Sequence, residues 1–466
     1  MTRHFLSLPV VALALALAGC GSLEPRYEVP LLDNMPVAFK EGRGAWVPAA
    51  PADTLDRGPW WELFEDPVLT GLVAQVEVSN QNVAAAVAAY SQARAITREQ
   101  RATLFPQVGL DANRGMQGGA GGRPTTRSQR VEIGVNWEPD VFGRLRLGVQ
   151  NARTGEQGAE ADTPSARLAA QGELAANYFG VREADVLRGL FDETLAGFQR
   201  ILQITRNRYD AGIVARTDVL QAETQVANTR ADLLTLERQR ATFEHAIAVL
   251  VGKAPANFSI AADAKWTAKV PAIPEEVPST LLQRRPDIAS AERRVAQANG
   301  QIGIARSGYF PSFGLSGSVG LSAASIGDLF SASSLVWALG SSLAQTIFDA
   351  GATGARVDQS RAVLEESAAR YRQAVLTAFQ DVEDQLVALR VLQQQQVLRQ
   401  QASRSADLVE QQVLNRYQAG QVGFTEVITA QASAATARRA LVGAQIDRQL
   451  AAVALIQALG GGWRGL

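Results

Sequence analysis

"RYDAGIVARTDVLQAETQ", residues 208–225, returns as "RYQAGQVGFTEVITAQAS", residues 416–433. Aligned without a gap, the two share Arg-Tyr, Ala-Gly, a Val, a Thr before an acidic residue, and Val and Ala beyond it. Local composition explains a shared Ala run; it does not explain Arg-Tyr, a fixed Gly and a Thr-acid pair kept in register. A repeat of this kind decides the fold, so it is tested first. Two further echoes precede it at a similar offset. "LFPQVGLDANRG" from Leu104 is answered by "YFPSFGLSGSVG" from Tyr309, and "QNVAAAVAAYSQARA" from Gln81 by "PDIASAERRVAQANG" from Pro286. The chain is two copies of one unit, 67–252 and 286–466, joined by a Pro-rich linker at 253–285.

Composition narrows the function classes. The net charge is -1, which supplies no basic footprint for nucleic acid. The two histidines, His4 and His245, cannot build any usual metal site. No nucleophile, acid/base pair or ligand cluster rises above background, so the chain does not read as an enzyme and no cofactor is expected. Aromatics are only 6%, which suits long helices better than a compact catalytic core.

The N-terminus is a targeting signal. "MTRHFLSLPVVALALALAGC" has a basic start, an apolar run, and small residues before Cys20, the only cysteine. Residues 1–19 read as a lipoprotein signal peptide, and Cys20 as the new N-terminus carrying a covalent lipid. Gly21 follows, rather than the Asp that commonly retains bacterial lipoproteins at the inner membrane. Residues 20–66 then read as extended chain, docked by Trp60, Trp61 and Phe64. From Leu69 to about Thr103 the pattern is helical.

Each copy next shows two runs of period-2 alternation, at about 107–113 and 130–138, then 312–322 and 335–343. In "SFGLSGSVGLS", Phe313, Leu315, Val319 and Leu321 oppose serines and glycines. A bulky face backed by a small polar one fits a transmembrane barrel strand with a wet lumen. Trp137 and Trp337 sit near strand ends, as interfacial aromatics do. The Gly-rich "GMQGGAGGRPTTRS" between the first two runs reads as a hairpin tip.

After each strand pair comes a long helical stretch, 143–209 and 351–417. At 1.5 Å per residue each would reach roughly 100 Å. Pro164 is expected to kink the first or mark a junction. In the second, Val375, Phe379, Val382, Leu386 and Leu389 trace the apolar face that coiled packing requires. Gly212 and Gly420 then turn each helix into an antiparallel partner that begins near Asp218 and Glu426.

Four strands cannot close a membrane barrel, because every backbone donor must be paired and single-chain barrels start at about eight strands. The barrel must be shared between copies, and the helices then form a shared tube. A wet barrel continued by a tube is a conduit.

The lipobox, "RRPDI" at 284–288, the two "RY-x-AG" hairpins and the terminal "ALGGGW" at 458–463 resemble the TolC/OprM outer-membrane efflux channels, with the lipidated NodT-type branch the closest match. The resemblance implies a homotrimer of mixed α and transmembrane β fold, with a shared twelve-stranded barrel and a periplasmic α-barrel. It implies an exit duct in the outer membrane, working with a periplasmic adaptor protein and an inner-membrane pump of the resistance-nodulation-division class. Cargo would be drugs, dyes or other small amphiphiles. A type I secretion duct and a structural coiled-coil lipoprotein are the alternatives; the second has no use for bulky/small alternation in "FGLSGSVG". The resemblance also places a periplasmic gate at the second hairpin, lined by Thr425, Glu426 and Thr429. Relatives often carry Asp where this chain has Thr429. Asp218 matches an acid that bonds, in some members, the Tyr matching Tyr417, while Val422 replaces an assisting Arg.

Overall fold

A computed structural model describes residues 23–30, 39–41, 58–119, 123–271 and 285–461. The expectations for Cys20, for residues 272–284 of the linker and for the final Trp463 lie outside the described residues. The element order repeats. Helices α1 (Pro67–Ser79) and α2 (Gln81–Ala102) lead to strands β1 (Gln107–Gly119) and β2 (Arg123–Trp137), then helices α3 (Arg144–Asp210) and α4 (Arg216–Leu250). The second copy runs α5 (Pro286–Arg306), β3 (Ser312–Ala323), β4 (Leu335–Ala344), α6 (Ala352–Gln418) and α7 (Phe424–Ala458). The offset between Arg208 and Arg416 also carries Arg144 onto Ala352, Asp210 onto Gln418, Arg216 onto Phe424 and Leu250 onto Ala458. Both long helices have 67 residues and both return helices 35.

Three details go beyond the sequence pattern. The helical stretch expected from Leu69 to Thr103 is two helices, broken at Asn80, whose ψ of 124° is extended. The Asn80 side chain accepts from the Asn82 and Val83 amides, so it caps α2 while its own amide donates to Leu250 O at 2.8 Å. Of the two alternatives for Pro164, the junction is excluded, since it lies inside one continuous α3. The Gly-rich "loop" largely belongs to the ladder, with Gly115 opposite Ser128 and Gln117 opposite Thr126. Backbone pairing needs no side chains, so β1 continues to Gly119, past the end of its alternation.

The chain forms two compact units, each drawn from both copies. One gathers Ala88–Glu160, Ser290–Gln373 and the N-terminal segment. Its four strands make an antiparallel sheet in the order β1-β2-β3-β4, so β2 and β3 join the two copies. Register places Leu110, Ile133, Val319 and Trp337 in one row across the sheet, and Gly109, Gly134, Ser318 and Ala338 in the adjacent row on the other face. The bulky face is open: Leu110 is 71% exposed, Trp337 77% and Leu339 82%. Among the described residues no helix is long and apolar enough to cross a membrane. In the same unit, residues 23–30 strap along α5. Asn299 donates to Pro25 O at 2.9 Å, Tyr27 donates to the Glu292 carboxylate, and burial beside that carboxylate pushes the Tyr27 phenol up.

The other unit gathers Asp33–Val87, Ala161–Ala289 and Ala374–Leu466. Its core packs Trp60, Phe64, Leu69 and Val73 against Leu174, Tyr178 and Phe179, with Ile247, Val453, Leu455 and Ile456. Phe64 and Phe179 rings lie 5.2 Å apart. A buried polar network fixes residues 260–266 to this core. Asp185 accepts from Arg182 at 3.1 Å, from Arg240 at 2.6 Å and from the Asp263 amide at 3.1 Å. Asp66 accepts from the Tyr178 hydroxyl at 2.6 Å and from the Trp266 indole at 3.0 Å while also capping α1. Burial alone would raise the Asp66 carboxyl, but these donors outweigh it and hold it below the usual carboxylate range.

Candidate functional site: the paired hairpin tips

Each long helix ends in the same device. At the first tip, the Gly212 amide donates to Tyr209 O and the Ile213 amide to Arg208 O, both at 2.8 Å. At the second, Gly420 donates to Tyr417 O and Gln421 to Arg416 O, both at 2.9 Å. These are Schellman caps, which need a left-handed residue at the turn. Gly212 has φ +71° and Gly420 φ +75°. A Cβ at either would meet nothing within 4 Å, so backbone conformation and not crowding demands glycine there.

The two tips are stitched together inside one chain. Tyr417 is buried in a cluster with Phe198, Ile201 and Leu202 of α3, Ala222 and Val226 of α4, and Phe424 and Val427 of α7. Its ring lies 5.9 Å from that of Phe424. The Arg208 guanidinium sits 4.7 Å from the Tyr417 ring centroid and donates to Tyr417 O at 3.3 Å.

The expected Asp218–Tyr417 bond is not what forms. The Tyr417 hydroxyl meets Thr205 Oγ1 at 3.4 Å, a long and weak contact between neutral groups. The reason is the seam itself: Tyr417 points between α3 and α7, which carries its hydroxyl to a buried position on α3. Asp218 is half-buried in the first turn of α4, where its amide donates to Ala215 O at 3.1 Å and its charge faces the helix N-terminus. Thr205 and Arg208 are the partners that sequence reasoning missed. Arg208 stood within the quoted repeat; Thr205 carried no signal.

Thr425, Glu426 and Thr429 share the exposed face of α7, opposite buried Phe424, Val427 and Ala430. The Thr429 hydroxyl donates to Thr425 O at 2.8 Å, so it is turned back onto its own helix. Val422 packs against the Tyr417 cluster as an apolar wedge. The arrangement offers a hydroxyl and carboxylate surface at a helix start, held in place by a tight seam behind it.

Comparison with known proteins decides what this architecture is. The outer membrane efflux protein family matches residues 72–253 and again 277–461. The chain belongs to that family of channel-type efflux proteins. The family match is itself double, one copy on each half. The chain is 32% identical over 99% of its length to "Probable efflux pump outer membrane protein TtgC" of Pseudomonas putida, covering 96% of that protein. It is 29% identical to "Cation efflux system protein CusC" of Escherichia coli, covering 97% of each. Among solved structures, the open state of the Neisseria gonorrhoeae MtrE outer membrane channel superposes with a TM-score of 0.80 at 29% identity, over 95% of this chain and 98% of that one. The chain is therefore an outer-membrane efflux protein of TolC-type fold.

Proposed function

We propose that three copies of the chain form the exit duct of a tripartite efflux pump, carrying small amphiphiles from a periplasmic adaptor and an inner-membrane pump to the exterior. The observation that carries this reading is the sheet: four strands with a bulky apolar face exposed and two outer edges unpaired. Such a sheet is unsatisfied in a single chain, and three of them supply about twelve strands, enough for a water-filled lumen. CusC is named for cation efflux and the TtgC of another Pseudomonas putida strain for toluene efflux, so the shared element is the duct. The resistance-nodulation-division class of pump is part of the same reading, as is a lipid on Cys20 that tethers the N-terminus beside the barrel.

At the narrow end, Thr425, Glu426 and Thr429 line the gate, and three copies of Glu426 make the ring of charge that cargo meets. The test is purified protein in a planar bilayer, together with heat-modifiable migration on gels. Wild type runs as a trimer and conducts with cation preference; Glu426→Ala conducts with reduced preference. A monomer that conducts nothing would overturn the duct. Palmitate labelling, lost in Cys20→Ser, tests the tether separately.

A further inference from the structure

The two Arg-Tyr pairs occupy the same place in their hairpins, yet they are used in opposite halves. From the first pair the arginine is used: Arg208 stacks on Tyr417. From the second pair the tyrosine is used: Tyr417 is 2% exposed. The remaining halves, Tyr209 at 41% exposure and the exposed Arg416, are the same two groups with their roles exchanged. One hairpin offers an arginine on one flank and a tyrosine on the other, and the chain joins only one pair of flanks. A contact that uses different patches on its two sides is heterologous, and repeating it closes a ring when its rotation is a whole fraction of a turn, as three copies require.

We propose that Tyr209 of one copy seats on α6 of the next, beneath the partner's Arg416, as Tyr417 seats on α3 beneath Arg208 within one chain. The inference rests on the three-copy reading above. The repeat offset names the seat: Ile201 corresponds to Val409, which is 51% exposed, and neighbouring Leu408 is 58% exposed. Val409 supplies the apolar floor that Ile201 supplies to Tyr417, with Leu408 beside it, while Leu202 is answered by Glu410, which is held by Arg438 at 2.7 Å. The offset also shows the between-copy junction to be the weaker one. Val413, which packs against its own chain's Tyr417 cluster, stands where Thr205 offers a hydroxyl, and Arg216 where Phe424 offers a ring. A tip built this way parts between copies before it parts within one.

The experiment uses full-length protein in nanodiscs without adaptor, with p-benzoylphenylalanine replacing Tyr209 or, as control, Tyr417. Irradiation is expected to give two- and three-chain bands from the Tyr209 probe, with adducts mapping around Arg416, and single-chain adducts on α3 from the Tyr417 probe. Disulfides supply a second arm. Tyr209→Cys with Arg416→Cys should give a ladder of linked chains, whereas Arg208→Cys with Tyr417→Cys should link within one chain. A protein that still migrates as a heat-modifiable trimer, but whose Tyr209 probe links only to its own chain or to no protein, overturns the contact and leaves the duct standing. Loss of the trimer itself brings down the three-copy reading and this contact with it.

Discussion

Leu339 of β4 is 82% exposed, whereas Leu455 of α7 is fully buried, and both sit in regular structure of the same chain. Around Leu339 the rows of Trp337, Val319 and Ile133 build an open apolar face backed by Gly and Ser. Around Leu455 the apolar side chains turn inward, and even the charges are consumed, with Arg182 4% and Asp185 2% exposed. The two regions obey one rule in two solvents. Apolar surface is removed from water by protein in the helical unit and by lipid at the sheet. Polar groups follow suit, paired internally in the first and left to a wet lumen in the second.

The largest way to break this comparison lies in the buried network. Asp185→Leu removes the shared acceptor of Arg182, Arg240 and the Asp263 amide, leaving buried guanidinium groups short of a partner. The cost is about 3–5 kcal/mol, read as a lowered guanidinium midpoint of the helical circular dichroism signal. A neutral result would mean that water reaches this network.

The sheet gives the next effect. Leu315→Arg puts a charge on the lipid face in the row of Trp137, where the cost falls between about 2–4 kcal/mol at the midplane and about 0–1 kcal/mol at the interface. Ser316→Arg, on the opposite face, should insert normally and change only conductance. Equal insertion defects in the two variants would reverse the assignment of faces.

Asp66 sharpens the helical side through pH. Its folded carboxyl is held low, so its contribution is fully present above the unfolded value of about 3.9 and is lost as pH falls through the folded one. Acid titrations should show wild type losing stability faster than Asp66→Asn below about pH 4, while at pH 7 the variant is weaker by about 1.5–3 kcal/mol for its lost charged hydrogen bonds. Parallel acid profiles would remove Asp66 from the account.

The smallest effect belongs to the tip. Tyr417→Phe loses only the 3.4 Å contact to Thr205 and keeps the ring beneath Arg208. Closed-state stability in single-channel records should fall by no more than about 0.5–1.5 kcal/mol. A larger loss would mean that the hydroxyl finds a charged partner in the assembled channel.

Much of this architecture was readable in advance because it rests on local chemistry. A left-handed cap needs Gly212 and Gly420 whatever surrounds them, and an uninterrupted apolar stripe extends a helix through its own hydrogen bonds. Alternation marks a strand because side chains point to opposite faces with period 2. What lacked alternation was misjudged: the Gly-rich end of β1 pairs through its backbone alone, and Asn80 breaks a helix that its neighbours' spacing would continue.

By itself, then, the sequence determined the duplication, the long helices, the turns at their ends and the two-faced strands, since each depends on residues within a few positions of one another. Only the tertiary structure decided that Tyr417 meets Thr205 and Arg208 instead of Asp218, and that Asp185 gathers Arg182, Arg240 and the Asp263 amide. Those choices depend on which helix faces lie against each other, and chain spacing carries no record of that. Two identical Arg-Tyr pairs make the point: their local caps are alike, but one tyrosine is buried and the other exposed, because only one has a neighbouring hairpin of its own chain to receive it.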